Sequence, residues 1–102
     1  NDQDIVNAIN CLIQPKGGIS LCNGEKEMVL GLPVAGLMTT NDGYETANLY
    51  DQMDQEAKKL GSKLGAPYMT LSFLALLVIP KLKLSDKGLF DGEKFQFTSL
   101  HA

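Results

Sequence analysis

The sequence contains no arginine: all nine basic residues are lysines. Without guanidinium groups the chain has no planar fork for gripping phosphate or carboxylate in two places at once. The net charge is −3, with acids and lysines mixed along the chain, so there is no positive field for a nucleic-acid backbone to follow. Nucleic acid is not an expected partner. Histidine is as scarce, with His101 alone beside the C-terminal end, and the only thiols are Cys11 and Cys22. A zinc or iron site needs several donors at compatible spacing, and these do not supply them. Nor is there a base placed to serve a serine, threonine or cysteine nucleophile. The residues therefore nominate no catalytic, cofactor-binding or metal-ligating group, and His101 reads as part of a solvated tail.

Long apolar runs are also missing. The stretch from Met69 to Ile79 is interrupted by Thr70 and Ser72 and falls short of the roughly 20 residues a bilayer requires, so no membrane is expected. Two cysteines make no disulfide framework and read as small reduced thiols of a cytoplasmic protein. No basic and apolar leader opens the chain, which argues against secretion. Its first residue is Asn1 rather than methionine, as expected of a cleaved chain or a piece of a longer one. Neither Gly17-Gly18 nor the stretch Gly88 to Lys94 has phosphate-loop spacing, and Asp86, Asp91 and Glu93 do not alternate as calcium ligands must. All read as turns.

What is present is one domain's worth of chain, 102 residues, able to bury roughly two-thirds of its unfolded surface. Ile5, Val6, Ile9, Leu12 and Ile13 recur at helical spacing behind Asp2 and Asp4, which favour the positive end of the helix dipole; a helix is predicted from about Asp2 to Ile13. Ile19 and Leu21, then Met28, Leu30 and Leu32, alternate with other residues around Asn23-Gly24, which predicts a β-hairpin with a type I′ turn. Tyr50, Met53, Ala57, Leu60 and Leu64 mark a second amphipathic helix from Tyr44 to Leu64, capped by Asn41 or Asp42 and ended by Gly65, with its charged residues on the wet side.

From Ala66 to Gly88 the pattern is harder to resolve, because periodicity separates helix from strand poorly where nearly every residue is apolar. Pro67 suits the start of a helical turn, and Val78 and Ile79 before Pro80 suit an extended chain. Leu82 and Leu84 alternate with Lys81 and Lys83, as on a sheet edge guarded by lysine, and Phe95 and Phe97 alternate with Gln96 and Thr98. Tyr44, Tyr50 and Tyr68 read as half-core aromatics in preference to a pocket lining. The fold class expected is α/β, with α+β open: a small domain of two or three layers over residues 1–102, with a mixed or antiparallel sheet, a β-hairpin and two main helices.

"GGISL" at 17–21, "LPVAGLMTT" at 32–40 and "PYMTLSFLALLVIPKLKLSDKGLFDGEKFQF" at 67–97 together resemble the C-terminal domain of bacterial adenine deaminase, nearly over the whole chain and in the family's order. The resemblance implies an amidohydrolase of purine salvage. Its metal-dependent (β/α)₈ barrel, with binuclear manganese or iron, would turn adenine into hypoxanthine and ammonia by attack of metal-bound hydroxide. It also implies that the catalytic histidines and carboxylates belong to that barrel, so none maps onto this sequence. The partners implied are the chain's own N-terminal barrel and a second subunit. Met69, Leu71 and Phe73 are the candidate interface residues, since a small domain this rich in apolar sequence is completed by a neighbour. A free-standing small-ligand or regulatory module, and a dimerisation domain, are the alternatives.

Overall fold

The computed structural model describes residues 1–101. The chain, read above as one domain, packs as two compact units, Asn1–Lys63 and the residues from Leu64 onward.

In the first unit, helix α1 spans Asp2–Asn10, with the Asn1 side chain accepting from the Asp4 amide at 2.9 Å. It ends earlier than the spacing of Leu12 and Ile13 predicts. The amides of Leu12 and Ile13 bond back three residues, to Ile9 and Asn10, so the last turn tightens and opens before Pro15. Strands β1 (Gly18–Asn23) and β2 (Lys26–Gly31) then form the antiparallel hairpin, with Asn23 opposite Lys26. The turn is therefore Gly24-Glu25, one residue later than expected. Only Gly24 of that pair has a positive φ, 61°, which matches a turn with glycine at its first central position, while Asn23 remains in the strand.

The hairpin's two faces are covered by different helices. Ser20, Cys22 and Glu27 share one face, which carries the bonds to α1; Leu21, Lys26 and Leu30 share the other, where Lys26 pairs at 3.0 Å with Glu56 of helix α2 (Gly43–Lys59). Helix, hairpin, helix make a three-layer unit. Leu21, Leu30 and Met53 of α2 are its buried apolar side chains among the described residues, and Met53 is wholly inaccessible. Asp42, one of the two expected caps, accepts from the amides of Tyr44 and Glu45 at 2.9 and 3.2 Å. The helix stops at Lys59, short of Leu64, because Gly61 takes a φ of 115° there and ends the helical path before Gly65.

Glu56 ties the helix to the hairpin. Its carboxylate accepts from Lys59 at 2.8 Å and lies 3.0 Å from Lys26, and these two ammonium groups, Lys59 first, hold its pKa below the ordinary value of 4.5. A depressed carboxylate stabilises the fold fully above its unfolded pKa and loses that contribution as pH falls through the folded one. Glu56→Gln is therefore expected to reduce stability at neutral pH and to flatten the acid side of the profile below about pH 4.5. Urea midpoints across that range check it; parallel acid limbs for the two proteins would refute the linkage.

The second unit opens with helix α3 (Pro67–Ser72), Pro67 at its first position, and continues in a 3-10 turn, Phe73–Ala75. Strands β3 (Leu82–Ser85), β4 (Gly88–Asp91) and β5 (Gln96–Phe97) follow in the order β3-β4-β5, all antiparallel. Extended structure begins at Leu82, not at Val78 and Ile79, which lie in a turn and bend; Pro80 has no N–H to give a ladder. β3 is an edge strand, as the lysine–leucine alternation suggests, but its faces are reversed. Leu82 and Leu84 are exposed, whereas Lys83 is half-buried opposite Phe90. Phe90 is the buried side chain of this unit, met edge-on by Phe95 and Phe97 at centroid distances of 5.6 and 5.3 Å. Phe95 stands in the β4–β5 turn at a φ of 55°, so the predicted alternation holds only from Gln96. Among the described residues, three α-helices and two small antiparallel sheets make this an α+β chain.

Candidate functional site

The feature that sets this chain apart is apolar surface left in water. From Met69 to Leu76 every residue of α3 and the following 3-10 turn is exposed, with Met69 at 54%, Leu71 at 56% and Phe73 at 47%. Met69 and Phe73 lie one helical turn apart and share a face. Leu71 is turned away from them and lies instead with Leu74, three residues on, also exposed. The segment is thus apolar on both sides. A helix apolar all round normally lies inside a larger body.

Helix α1 adds a second such surface with a clearer cause. Its inward face is made of small and polar residues that bond directionally to the hairpin. The Ser20 hydroxyl donates to the Ala8 carbonyl at 2.6 Å, and the Asp4 carboxylate accepts from the Gly24 amide at 2.9 Å and from the Cys22 thiol at 3.8 Å. The Cys11 thiol donates to Glu27 at 3.7 Å. With that face turned inward, Ile5, Val6, Ile9 and Ile13 are left outward, 48% to 69% exposed. The sequence shows this helix by its apolar spacing yet not the direction it faces. The missed signal is on the other side, where Asp4, Asn7, Ala8 and Cys11 recur three and four apart and meet the Ser20–Cys22 alternation.

The chemistry available here is limited. Cys11 and Cys22 are free, and both thiols are pushed above their ordinary pKa, first by burial and then by the carboxylates of Glu27 and Asp4 respectively, so each is held protonated. Protonated thiols are poor nucleophiles and poor ligands. No cluster of three or more histidine, cysteine, aspartate or glutamate side chains among the described residues could hold a metal ion, and His101 stands exposed with its amide bonded to Ser99. Tyr44 is exposed, while Tyr50 and Tyr68 are half-buried, Tyr50 on the helix that also carries Asp54. One carboxylate oxygen of Asp54 is shielded from water with no hydrogen-bond partner among the described residues, and burial, then the Asp54 charge, raises the Tyr50 pKa. No helix is long and apolar enough to cross a membrane among the described residues.

Comparison with known proteins adds what the surface cannot. Residues 1–96 match the family model described as the adenine deaminase C-terminal domain. The protein named adenine deaminase in Methanosarcina acetivorans is 54% identical over 99% of this chain, which spans 18% of that relative. The adenine deaminase of Sulfurovum is 53% identical over 95% of the chain and that of Borreliella burgdorferi 45% over 95%, each again matched over 18% of its own length. The chain thus spans less than a fifth of the curated relatives it matches. No solved structure matches it significantly.

Proposed function

Because this chain belongs to the adenine deaminase C-terminal domain family, we propose that it is the C-terminal part of a longer adenine deaminase and supports the enzyme without supplying its catalytic groups. The reaction assigned to the full protein is hydrolysis of adenine to hypoxanthine and ammonia, in cytoplasmic purine salvage, by an amidohydrolase barrel upstream of these residues. The observation that carries this reading is that relatives named for the activity match this chain over only 18% of their own length. The manganese or iron of the parent enzyme would be held by the barrel's residues, and nothing in this chain is assigned a step through it. In this reading Met69, Leu71 and Phe73 face the barrel or a second subunit of a homo-oligomer, where covering each side chain, now about half exposed, gives roughly half of the ~1.5–3 kcal/mol of full burial.

Ammonia release from adenine, measured for the 102-residue chain and for the full-length protein with manganese supplied to both, tests the assignment. Turnover by the full-length protein alone is expected. Turnover by the short chain, or none by the full-length protein, overturns it.

A further inference from the structure

We propose that the outward face of α1, made by Ile5, Val6 and Ile9 and continued by Ile13 in the turn after it, docks on the polypeptide that precedes Asn1 in the same molecule. This rests on the reading that the domain closes a longer enzyme, and it concerns a different element from Met69, Leu71 and Phe73.

The first ground is the way the helix is set. An amphipathic helix left to the hydrophobic effect alone turns its apolar stripe inward. Here the opposite face is fixed to the hairpin by the bonds from Ser20 to Ala8, from Gly24 and Cys22 to Asp4, and from Cys11 to Glu27. Those bonds hold three isoleucines and a valine toward water. β-Branched side chains are among the weaker helix formers, so on a face that stays wet they add neither propensity nor burial.

The second ground is position. The family is described as a C-terminal domain and this chain spans 18% of its relative, so in the reading above most of the molecule lies upstream of α1. Of the elements of this chain, α1 is the nearest in sequence to that remainder. A tethered surface is delivered beside the helix at high effective concentration. A second copy of the chain would have to give up free translation and rotation to reach the same face.

The test places a photo-crosslinking phenylalanine analogue at Ile9 in the full-length protein, with the same substitution at Gln52, on the exposed side of α2, as control. Light and heavy isotope-labelled protein are mixed before irradiation, and adenine turnover is followed in the same samples. The expected result is crosslinks from position 9 to peptides preceding Asn1 within one isotope population, at least about tenfold above those from position 52. Light–heavy crosslinks would show a second copy on the face and overturn the proposal, as would a yield no higher than at position 52. A protein that crosslinks as expected but does not deaminate adenine would remove the enzyme reading and leave the docking intact; turnover without crosslinks removes only the docking.

Discussion

Gly18→Ala is expected to unfold the first unit of the 102-residue chain. Gly18 sits at a φ of 140°, and a Cβ built there would enter the van der Waals shell of the Leu30 carbonyl and lie 3.1 Å from the Leu32 amide nitrogen. Both neighbours are backbone, so neither moves aside as a flexible side chain would. Backbone held in a region nearly reserved for glycine costs about 1–3 kcal/mol, and forcing atoms into a packed site costs about as much again. A domain of this size is stable by only about 0.05–0.15 kcal/mol per residue, so the sum is comparable with all the unit has. Gly43→Ala is the control: nothing lies within 4 Å of a Cβ there, and the change is expected to be neutral or mildly stabilising. Urea denaturation followed by far-ultraviolet circular dichroism distinguishes them. Equal midpoints for Gly18→Ala and the parent would show that the hairpin does not close against Gly18 as described.

Met53→Ala is expected to have the next largest effect. Met53 is wholly buried and shares the core of its unit with Leu21 and Leu30, so truncation leaves a cavity as well as losing transfer free energy. Such changes cost about 2–5 kcal/mol. Met38→Ala removes the same atoms from a side chain that is mostly in water and is expected to shift the midpoint little. The contrast is the useful quantity, since one type of residue is removed twice, once from a buried and once from an exposed position. A Met38 effect as large as that of Met53 would contradict the placement of this core.

Which parts of this molecule its sequence reveals follows from where the forces act. α1 and α2 were legible because their apolar residues repeat every three or four positions, and Asp42 because a short acidic side chain ahead of such a run has amides to accept from. The hairpin was legible from alternation, but its turn slipped by one residue: Asn-Gly suits two positive φ angles, while this turn needs only one, at Gly24. Gly65 looked like the end of α2 because it follows the last apolar position, yet Gly61 breaks the helix sooner and leaves Leu64 outside. Val78 and Ile79 looked extended from their β-branching, whereas Pro80 keeps the ladder from starting until Leu82.

Which way an apolar side faces is harder to read. Patterning tells which side of an element is apolar, and the inference that this side faces the chain's own core holds only when the chain contains its whole core. α1 turns its isoleucines outward, β3 turns its leucines outward, and α3 exposes apolar residues on both sides. Each leaves apolar side chains in water in this chain taken alone. The candidate interface residues Met69, Leu71 and Phe73 could be nominated from sequence only as apolar excess; the α1 face is harder to nominate, because the polar bonds that fix it join residues twelve to twenty positions apart.

The most direct measurement on this account is a radical footprint of the full-length protein, comparing side-chain labelling of Met69 and Phe73 in the native state with that in urea. If the domain's apolar surface is covered by the rest of the molecule, both residues are labelled at least about tenfold more slowly in the native protein, although each is about half exposed in this chain alone. Labelling at the same rate in both states would mean that nothing covers them, and the account of this domain as a supporting part completed by its neighbour would fail.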